Sequence, residues 1–559
     1  MQTIIKSWFK YFIFVGLFGV CINLIYLAIP VYMMVVYDRV LFSFSRATLY
    51  ALSVGVLISL IGMGLMDYLR MLILGQAGNN LVQKMMPFVV KSMQADAAGT
   101  TGHGYNRGLY DLELLKDAVV HGHIFYILDL PWVLIYLGIL YIMHPLVGVV
   151  AIAGVFLVAL FQILLRKLAK KRYMVADVAF QANADFAGTC LKHAGIVSGM
   201  GMLPDVMETY RDRYQKILAE RSGADAYQAF AGAVLRLLHV MSLAAVFGVG
   251  AFVFFRDEIT VGVIFASVII LARLFYPFER SLSDMKISIE AMAAYKRLKQ
   301  FVDTRKQKKK LSLPEPAGKF DAQAVTLALN SRTILHNISF ALEPGETLGI
   351  FGPSSSGKTS LCKVLLGIWP ALAGKVRLDG AEIAHWPRDE FGTYVGYLPQ
   401  EPELFPASVA QNISRLRKVD SEKVVKAAQK AGVHQMILKL PQGYDTKIDR
   451  TGKNLAAGQR QLISMARALY DDPKFVVLDE PHTHLDELGL RMLLVALNNL
   501  KQEKITTIVV TDRPNLLVNM DKLLVIKEGQ VAMYGPGKEV LSQLANKQQP
   551  QQAAGAAGV

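Results

Sequence analysis

The chain has 559 residues, of which 53% are hydrophobic and only 19% are charged, and its formal net charge at pH 7 is +15. This length allows about two to four domains. The hydrophobic excess lies in the first half, which excludes a wholly water-soluble enzyme and indicates a membrane portion joined to a soluble portion. Because basic clusters flank the apolar segments, we attribute the positive charge to an anionic membrane surface and not to nucleic acid.

Six apolar segments in the first half are long enough to cross a bilayer, whose hydrocarbon core is about 30 Å thick. They cover approximately residues 9–37, 49–74, 124–143, 146–165, 230–255 and 261–278. Pro30 is expected to kink the first segment, and His144-Pro145 is expected to form a tight turn. The basic cluster that begins at Arg166 predicts that its end of the fourth span faces the cytoplasm. An even number of spans then places both termini on that side.

Two polar regions separate these spans. Residues 79–116 predict the cytoplasmic end of a helical hairpin, and residues 173–228 predict helices that project into the cytoplasm. Arg236, His239 and Glu279 lie in or near the later spans, as does Arg273. These charged side chains are expected either to face a water-filled path or to pair with each other.

From about residue 320 the composition changes to that of a soluble α/β domain. Strand-like runs at residues 333–342, 347–351, 375–378, 475–478, 506–510 and 522–526 alternate with helical runs. A basic, proline-containing run precedes this domain and predicts a linker. The chain ends in a segment of Gln, Ala and Gly, which predicts a disordered tail.

The clearest motif is Gly352-Pro-Ser-Ser-Ser-Gly-Lys-Thr359, which satisfies G-x-x-x-x-G-K-[ST] and lies between a strand-like run and a helix-like run at residues 361–368. Backbone amides and a helix N-terminus that meet at one point attract phosphate groups. Lys358 adds a positive charge for the β- and γ-phosphates, and Thr359 offers a hydroxyl to Mg²⁺. The predicted nucleotide contacts are Gly352, Pro353, Ser354, Ser355, Ser356, Gly357, Lys358, Thr359 and Ser360.

A second motif is the apolar run at residues 475–478, which ends in Asp479 and Glu480. Two acids at the end of a buried strand are unusual unless they meet a cation. We predict that Asp479 binds Mg²⁺ and that Glu480 polarises the attacking water.

The order of these motifs resembles the ATPase of ABC transporters. It runs from the phosphate loop through Gln400 in Tyr397-Leu-Pro-Gln and Asn454-Leu-Ala-Ala-Gly-Gln459 to Asp479-Glu480. With six spans before it, the chain resembles a half-size ABC exporter, and more finely the type I secretion exporters of the protease-secretion kind. The stretches that carry the finer resemblance are Tyr37-Asp-Arg-Val-Leu, Gly199-Met-Gly-Met-Leu, Val376-Arg-Leu-Asp-Gly380 and the run at residues 396–405.

The resemblance implies a fold and a set of site residues. The fold is an α-helical six-span transmembrane domain of the type I ABC exporter kind, followed by an α/β P-loop nucleotide-binding domain. Its implied catalytic residues are Glu480, Gln400 and Lys358, and its implied Mg²⁺ ligands are Thr359, Gln400 and Asp479. Further ATP contacts are implied at the signature loop, from the opposite subunit: Ala456, Ala457, Gly458 and Gln459.

Two motifs, the signature and the switch, depart from the family pattern. The signature LSGGQ is Leu455-Ala-Ala-Gly-Gln459 here, so that Ala456 lacks a hydroxyl and Ala457 places a Cβ where the phosphate approaches. The amide of Gly458 and the helix N-terminus remain, which predicts weakened and not abolished binding. The switch histidine is replaced by Asp512, whose carboxylate repels a γ-phosphate. A lost hydrogen bond to a charged group costs about 1.5–3 kcal/mol, which is about 10- to 150-fold in rate if it acts only in the transition state.

Four further side chains are judged by their position. Leu329 occupies the position expected for an adenine-stacking aromatic residue, and Phe320 is the nearest candidate. His482 and His484, in the loop after Glu480, are expected to face the dimer partner and not a metal.

The sequence therefore predicts a membrane domain at residues 1–304, a linker at 305–319, an ABC ATPase domain at 320–545 and a disordered tail at 546–559. The implied function is ATP-driven export of a protein or peptide across the bacterial inner membrane. Its partners would be a second copy of the chain, a periplasmic adaptor protein, an outer-membrane channel and membrane lipid. The alternatives are a lipid or drug half-exporter, and a nucleotide-binding scaffold or heterodimer partner that hydrolyses little ATP.

Overall fold

The structure is a computed structural model that describes residues 2–99, 107–120, 125–303, 312–329, 332–449, 452 and 454–544. Contacts divide the chain into two compact units. The first comprises described residues within 1–94 and 105–306, and the second those within 95–104 and 307–559. The predicted tail at 546–559 and most of the basic part of the predicted linker, residues 305–311, lie outside the described residues.

The first unit is helical. Its helices are Gln2–Tyr26 (α1), Ala28–Val35 (α2), Leu41–Ser43 (α3), Arg46–Ala97 (α4), Gly108–Val120 (α5), Phe125–Met143 (α6), Pro145–Lys192 (α7), Ala194–Gly199 (α8), Leu203–Phe254 (α9), Val261–Ser283 (α10) and Met285–Asp303 (α11). A five-residue π-helical turn, Val36–Val40, joins α2 to α3. The structure thus contains a helix across each of the six predicted apolar segments.

Among the described residues, five helices are long and apolar enough to cross a membrane, and the shorter apolar stretch Asp129–Met143 forms most of α6. The helices α4, α7 and α9 have 52, 48 and 52 residues, far more than a bilayer requires. The predicted cytoplasmic regions are therefore mostly continuations of the spanning helices and not separate elements.

Proline and capping residues explain where the first span is interrupted and where the fourth span begins. The first span is interrupted at Leu27, because Pro30 cannot donate a hydrogen bond to the carbonyl of Tyr26. His144 caps α7 with its side chain, which accepts a hydrogen bond from the amide of Leu146 at 3.2 Å, and Pro145 occupies the first helical position. The turn expected at His144-Pro145 is thus a helix cap.

A buried polar cluster lies among the spans. The amide of Asn23 donates to Asp129 at 3.3 Å and accepts from Arg273 at 3.2 Å, and the hydroxyl of Tyr136 donates to the carbonyl of Asn23 at 2.9 Å. Arg70 lies 3.9 Å from Asp129. Each charge in this cluster has a polar neighbour, as charged groups at membrane depth require.

Other charged residues of this unit tie distant segments together. His239 lies 2.7 Å from Glu279. Of the two expected alternatives, a water-filled path or mutual pairing, these two residues show pairing. Asp38, in the π-helical turn, accepts from the hydroxyl of Thr260 at 2.6 Å and from the amide of Gly262 at 2.8 Å, where it caps the start of α10.

All the strands found in the described residues lie in the second unit. They are Phe320–Leu329 (β1), Arg332–Leu342 (β2), Thr347–Phe351 (β3), Ala373–Leu378 (β4), Ala381–Glu382 (β5), Val395–Leu398 (β6), Phe475–Asp479 (β7), Thr506–Val510 (β8), Lys522–Lys527 (β9) and Gln530–Pro536 (β10). Its helices are Lys358–Leu365 (α12), Arg388–Tyr394 (α13), Val409–Ile413 (α14), Ser421–Lys430 (α15), His434–Leu438 (α16), Ala457–Ala468 (α17), Glu487–Gln502 (α18) and Pro514–Leu517 (α19).

Two sheets organise this unit. An antiparallel sheet has the order β2-β1-β4-β5, and a mainly parallel sheet has the order β10-β9-β3-β8-β7-β6. In the parallel sheet, Ile350 on β3 is paired with Val510 on β8, and Val510 is also paired with Asp479 on β7. The carboxyl ends of these three strands therefore meet at one edge, which is where ligands bind in open α/β sheets.

Candidate functional site

The phosphate loop leaves β3 and begins α12, and glycine is required at two of its positions. A Cβ on Gly352 would lie 2.2 Å from the carbonyl oxygen of Ile526, and Gly357 has a φ of +98°. Ser355 also has a positive φ, +66°. A non-glycine residue in this region is strained by about 1–2 kcal/mol.

Two polar side chains of the loop are placed where they can bind an anion. The Lys358 ammonium is buried and donates to the carbonyls of Gly352 at 2.7 Å and Pro353 at 2.9 Å. The hydroxyl of Ser356 is buried and has no hydrogen-bond partner among the described residues. A cationic side chain and an unpaired hydroxyl on one loop can both bind phosphate oxygens without breaking secondary structure.

Asp479, at the end of β7, fits a Mg²⁺ site. Its side chain is fully buried, and neither carboxylate oxygen has a hydrogen-bond partner in the part of the chain that is described. The pKa of this carboxyl is raised to about 6, chiefly by burial; the nearby Thr359 hydroxyl opposes the shift and the charge of Glu480 adds to it. A buried carboxylate without a partner is costly unless a cation binds it, and carboxylate oxygens are ligands that Mg²⁺ prefers.

Gln400 links the start of α12 to the acid that follows β7. Its carbonyl oxygen lies 3.4 Å from the Thr359 hydroxyl, and its amide donates to Glu480 at 3.0 Å. The structure therefore brings together Thr359, Gln400 and Glu480, with Asp479 beside them, as the motifs predicted. The backbone amide of Glu480 donates to the carbonyl of Val510 at 3.0 Å, which fixes this acid beside β8. Their roles in binding and catalysis stay predictions.

Mg²⁺-dependent ATP binding is expected to weaken as the pH falls through about 6, by about tenfold per pH unit below that value, because protonated Asp479 cannot bind a cation. Titration of ATP affinity between pH 5 and 7.5 with Mg²⁺ and with a chelator checks this. In the nucleotide-free protein the sign is opposite: the stability that neutral Asp479 provides is complete below pH 3.8 and is lost as the pH rises through about 6. A Mg²⁺-dependent affinity that stays flat across this range in the parent chain would contradict the assignment of Asp479.

The signature residues lie at the start of α17. Ala456 is the N-cap residue, and its amide donates to the side chain of Gln459 at 2.9 Å. This is half of a capping box, because the methyl group of Ala456 cannot accept a hydrogen bond in return. Gly458 lies against the loop after β7, where an added Cβ would be 2.9 Å from the carbonyl oxygen of His484.

Two expectations about aromatic and histidine side chains are wrong. Phe320 is completely buried and stacks on Phe475 with ring centroids 4.3 Å apart, so it fills the core and does not face an adenine. His482 is 8% exposed, so within this chain it is buried and does not present the outward face that was expected. His484 is exposed, in agreement with its expected position.

His482 instead contacts the position where the family's switch histidine is missing. Its Nε2 lies 2.9 Å from Oδ1 of Asp512, and its Nδ1 lies 3.2 Å from the hydroxyl of Thr511. Burial lowers the pKa of His482, and the charge of Asp512 opposes that shift. The available sequence signal was a histidine two residues after Glu480 together with an acid at position 512, but only the pairing of β7 with β8 places them together.

Comparison with known proteins places both halves of the chain. The family model for the ABC transporter matches residues 335–483, and the family model for the ABC transporter transmembrane region matches residues 12–278. The type I secretion system ATP-binding protein PrsD of Rhizobium meliloti (strain 1021) is 33% identical over 552 residues, which cover 96% of this chain and 93% of that protein.

Two other similar proteins differ in what their names describe. The ATP-dependent lipid A-core flippase of Methylococcus capsulatus is 29% identical over 340 residues, which cover 60% of this chain and 56% of that one. A bacterial Atm1-family ABC exporter with ATP bound has a similar structure, with a TM-score of 0.86, 18% identity, and coverage of 97% of this chain and 98% of that one. At that identity the structural likeness shows the fold alone.

Proposed function

Because this chain belongs to the ABC transporter family, we propose that it is the ABC component of a type I secretion system and that it uses ATP to export a protein or peptide across the bacterial inner membrane. The observation that carries this proposal is the similarity to PrsD, which spans 96% of the chain and therefore includes the membrane domain. Substrate choice in an exporter depends on that domain, so a match confined to the ATPase would not have supported a substrate class.

In this proposal each site residue has a defined task. The phosphate loop and the start of α12 bind the β- and γ-phosphates, and Lys358 exchanges its two carbonyl partners for phosphate oxygens. Asp479, Thr359 and Gln400 hold Mg²⁺, which supplies charge neutralisation when bound. Glu480 orients and polarises the attacking water, and its hydrogen bond to Gln400 couples it to the metal side of the site.

The partners follow from the same proposal. Two copies of the chain form the exporter, since the signature loop at Ala456–Gln459 acts on the nucleotide held by the other copy. A periplasmic adaptor protein and an outer-membrane channel continue the path, and ATP with Mg²⁺ drives it. The ATPase domain lies in the cytoplasm, and the boundaries at residues 304 and 320 separate it from the membrane domain through a linker.

A lipid half-exporter is the second candidate, and the similarity to the lipid A-core flippase favours it. Measuring ATP turnover of the purified chain in lipid nanodiscs distinguishes protein export from lipid export. An unfolded polypeptide with an uncleaved C-terminal segment should change the turnover rate at least twofold, whereas lipid A or a hydrophobic drug should not. A response to lipid or drug without any response to polypeptides would reject protein export.

Restoring the signature loop is expected to increase turnover. Ala457→Gly removes the Cβ that faces the phosphate, and Ala456→Ser returns a hydroxyl and completes the capping box with Gln459. The serine cap alone should raise the free energy of unfolding by about 0.5–2 kcal/mol. One recovered hydrogen bond to a charged group of about 1.5–3 kcal/mol corresponds to about 10-fold or more in rate.

Steady-state turnover and thermal unfolding of the double variant check both expectations. Ala532→Ser, at an exposed position of β10, is the control, because it adds a hydroxyl outside the ATP site without burying it. Turnover that stays at the parental rate would show that the alanines do not limit this chain.

A further inference from the structure

The contact between His482 and Asp512 lies at the edge of the sheet where the nucleotide site is built. His482 follows β7 by way of Glu480, and Asp512 follows β8. The backbone bond from the amide of Glu480 to the carbonyl of Val510 at 3.0 Å holds these two segments together. The pair is therefore anchored to the same strand ends as the predicted general base.

The hydrogen bonds around His482 indicate how its ring is protonated. The Thr511 hydroxyl oxygen already accepts from the amide of Arg513 at 3.1 Å. Its own hydrogen is then free to be donated to Nδ1 of His482, 3.2 Å away. A neutral imidazole that accepts at Nδ1 carries its proton on Nε2 and donates it to the Asp512 carboxylate, 2.9 Å away.

The two partners are exposed to very different degrees. The side chain of His482 is 9% exposed, whereas that of Asp512 is 69% exposed. The ring is thus enclosed by its surroundings, whereas the carboxylate is open to solvent and to an incoming ligand. The charged groups that act on His482 are Asp512, Arg513 and Glu480. An incoming γ-phosphate would add negative charge beside Asp512 and Glu480, so this edge needs a donor that holds and offsets the carboxylate.

We propose that His482 and Asp512 form one positioning unit that responds to the γ-phosphate, in which His482 directs and offsets the carboxylate of Asp512. The position after β8 where the family has its switch histidine is Asp512 here. A histidine from a different loop, His482, two residues beyond Glu480, contacts this position instead. The inference rests on the proposed ATP-dependent function of the site. It predicts that the site distinguishes ATP from ADP through this pair.

The test compares affinities for Mg²⁺-ATP and Mg²⁺-ADP in the full chain in lipid nanodiscs. A Glu480→Gln background is used so that ATP survives the measurement. His482→Ala leaves the Asp512 carboxylate without its donor, so ATP affinity should fall about tenfold while ADP affinity changes less than about threefold. Adding Asp512→Ala to His482→Ala removes the uncompensated carboxylate and should recover most of the lost ATP affinity.

His482→Gln keeps an N–H donor near the position of Nε2 and should retain most of the ATP preference. If His482→Ala does not fold, His482→Leu, which has no donor but fills more of the space of the ring, replaces it and should show the same selective loss of ATP affinity. Parallel losses of ATP and ADP affinity would overturn the inference. So would a double variant whose loss of ATP affinity is the product of the losses measured for His482→Ala alone and for Asp512→Ala alone. If the chain with Glu480 intact shows no turnover, a selective loss of ATP affinity in the Glu480→Gln background would support the pair and reject the proposed motor.

Discussion

The Glu480→Gln variant is expected to lose ATP turnover by a factor of about 10² to 10⁴, which is the largest effect on activity that the site implies. The amide cannot accept a proton from the attacking water or polarise it as a carboxylate does. Nucleotide binding should persist, because the phosphate loop and its Lys358 contacts do not depend on residue 480. Steady-state phosphate release and ATP affinity, measured on the same protein in lipid, check the two halves of this expectation.

Glu487→Gln is the matched control for this experiment. Glu487 begins α18, its side chain is 84% exposed, and it pairs only with Arg491 among the contacts that the described chain shows for it. The same loss of one negative charge there should leave turnover within about twofold of the parent. If Glu480→Gln turned over ATP as fast as the parent chain, Glu480 would not be the general base.

The largest expected effect on stability is that of Asp111→Ala in the membrane domain. Asp111 on α5 is completely buried and accepts two hydrogen bonds from Arg297 on α11, at 2.7 and 2.8 Å. Removing one partner of a buried ion pair leaves the other charge uncompensated and costs about 3–5 kcal/mol. Asp177, 3.8 Å from Arg297, offsets a part of this loss, so the lower end of the range is expected.

Thermal or denaturant unfolding in detergent measures this loss. Glu113→Ala is the control, because Glu113 lies on the same helix with a side chain that is 52% exposed and pairs with Lys116. A second variant, Asp111→Leu with Arg297→Met, replaces both charges by apolar groups and should recover most of the stability. If Asp111→Ala unfolded at the parental temperature, the pair would contribute nothing measurable.

Four strands of the mainly parallel sheet, β3, β7, β8 and β9, could be predicted because each is a short apolar run whose central residues are buried, as Phe475–Asp479 shows. The sheet's other two strands were missed, because β6 has only four residues and β10 alternates between exposed and partly buried residues. Strand β1, Phe320–Leu329, could not be predicted, because Asp321, Gln323 and Thr326 interrupt its apolar residues on an antiparallel sheet. The lengths of α4, α7 and α9 were also missed, since hydropathy marks where a helix enters lipid and not where the helix ends.

The nucleotide site was predictable where its chemistry is local and unpredictable where it depends on pairing between strands. The phosphate loop and Asp479-Glu480 each lie within a few residues of chain. The contact between His482 and Asp512 joins residues on two loops, and it requires the register that pairs Asp479 with Val510. Phe320 was misjudged for the same reason, because its neighbours Phe340 and Phe475 come from other strands.

The cap that Asp38 places on α10 has a consequence for the time course of biosynthesis. The two hydrogen bonds of Asp38 reach 222 and 224 positions along the chain, to Thr260 and Gly262. At about 5–20 residues per second, a ribosome that has just added Asp38 needs on the order of 10 to 45 s to reach Gly262. Throughout that interval Asp38, in the π-helical turn, lacks these two hydrogen-bond donors. This end of the domain is therefore complete only after the last span, α10, has been synthesised.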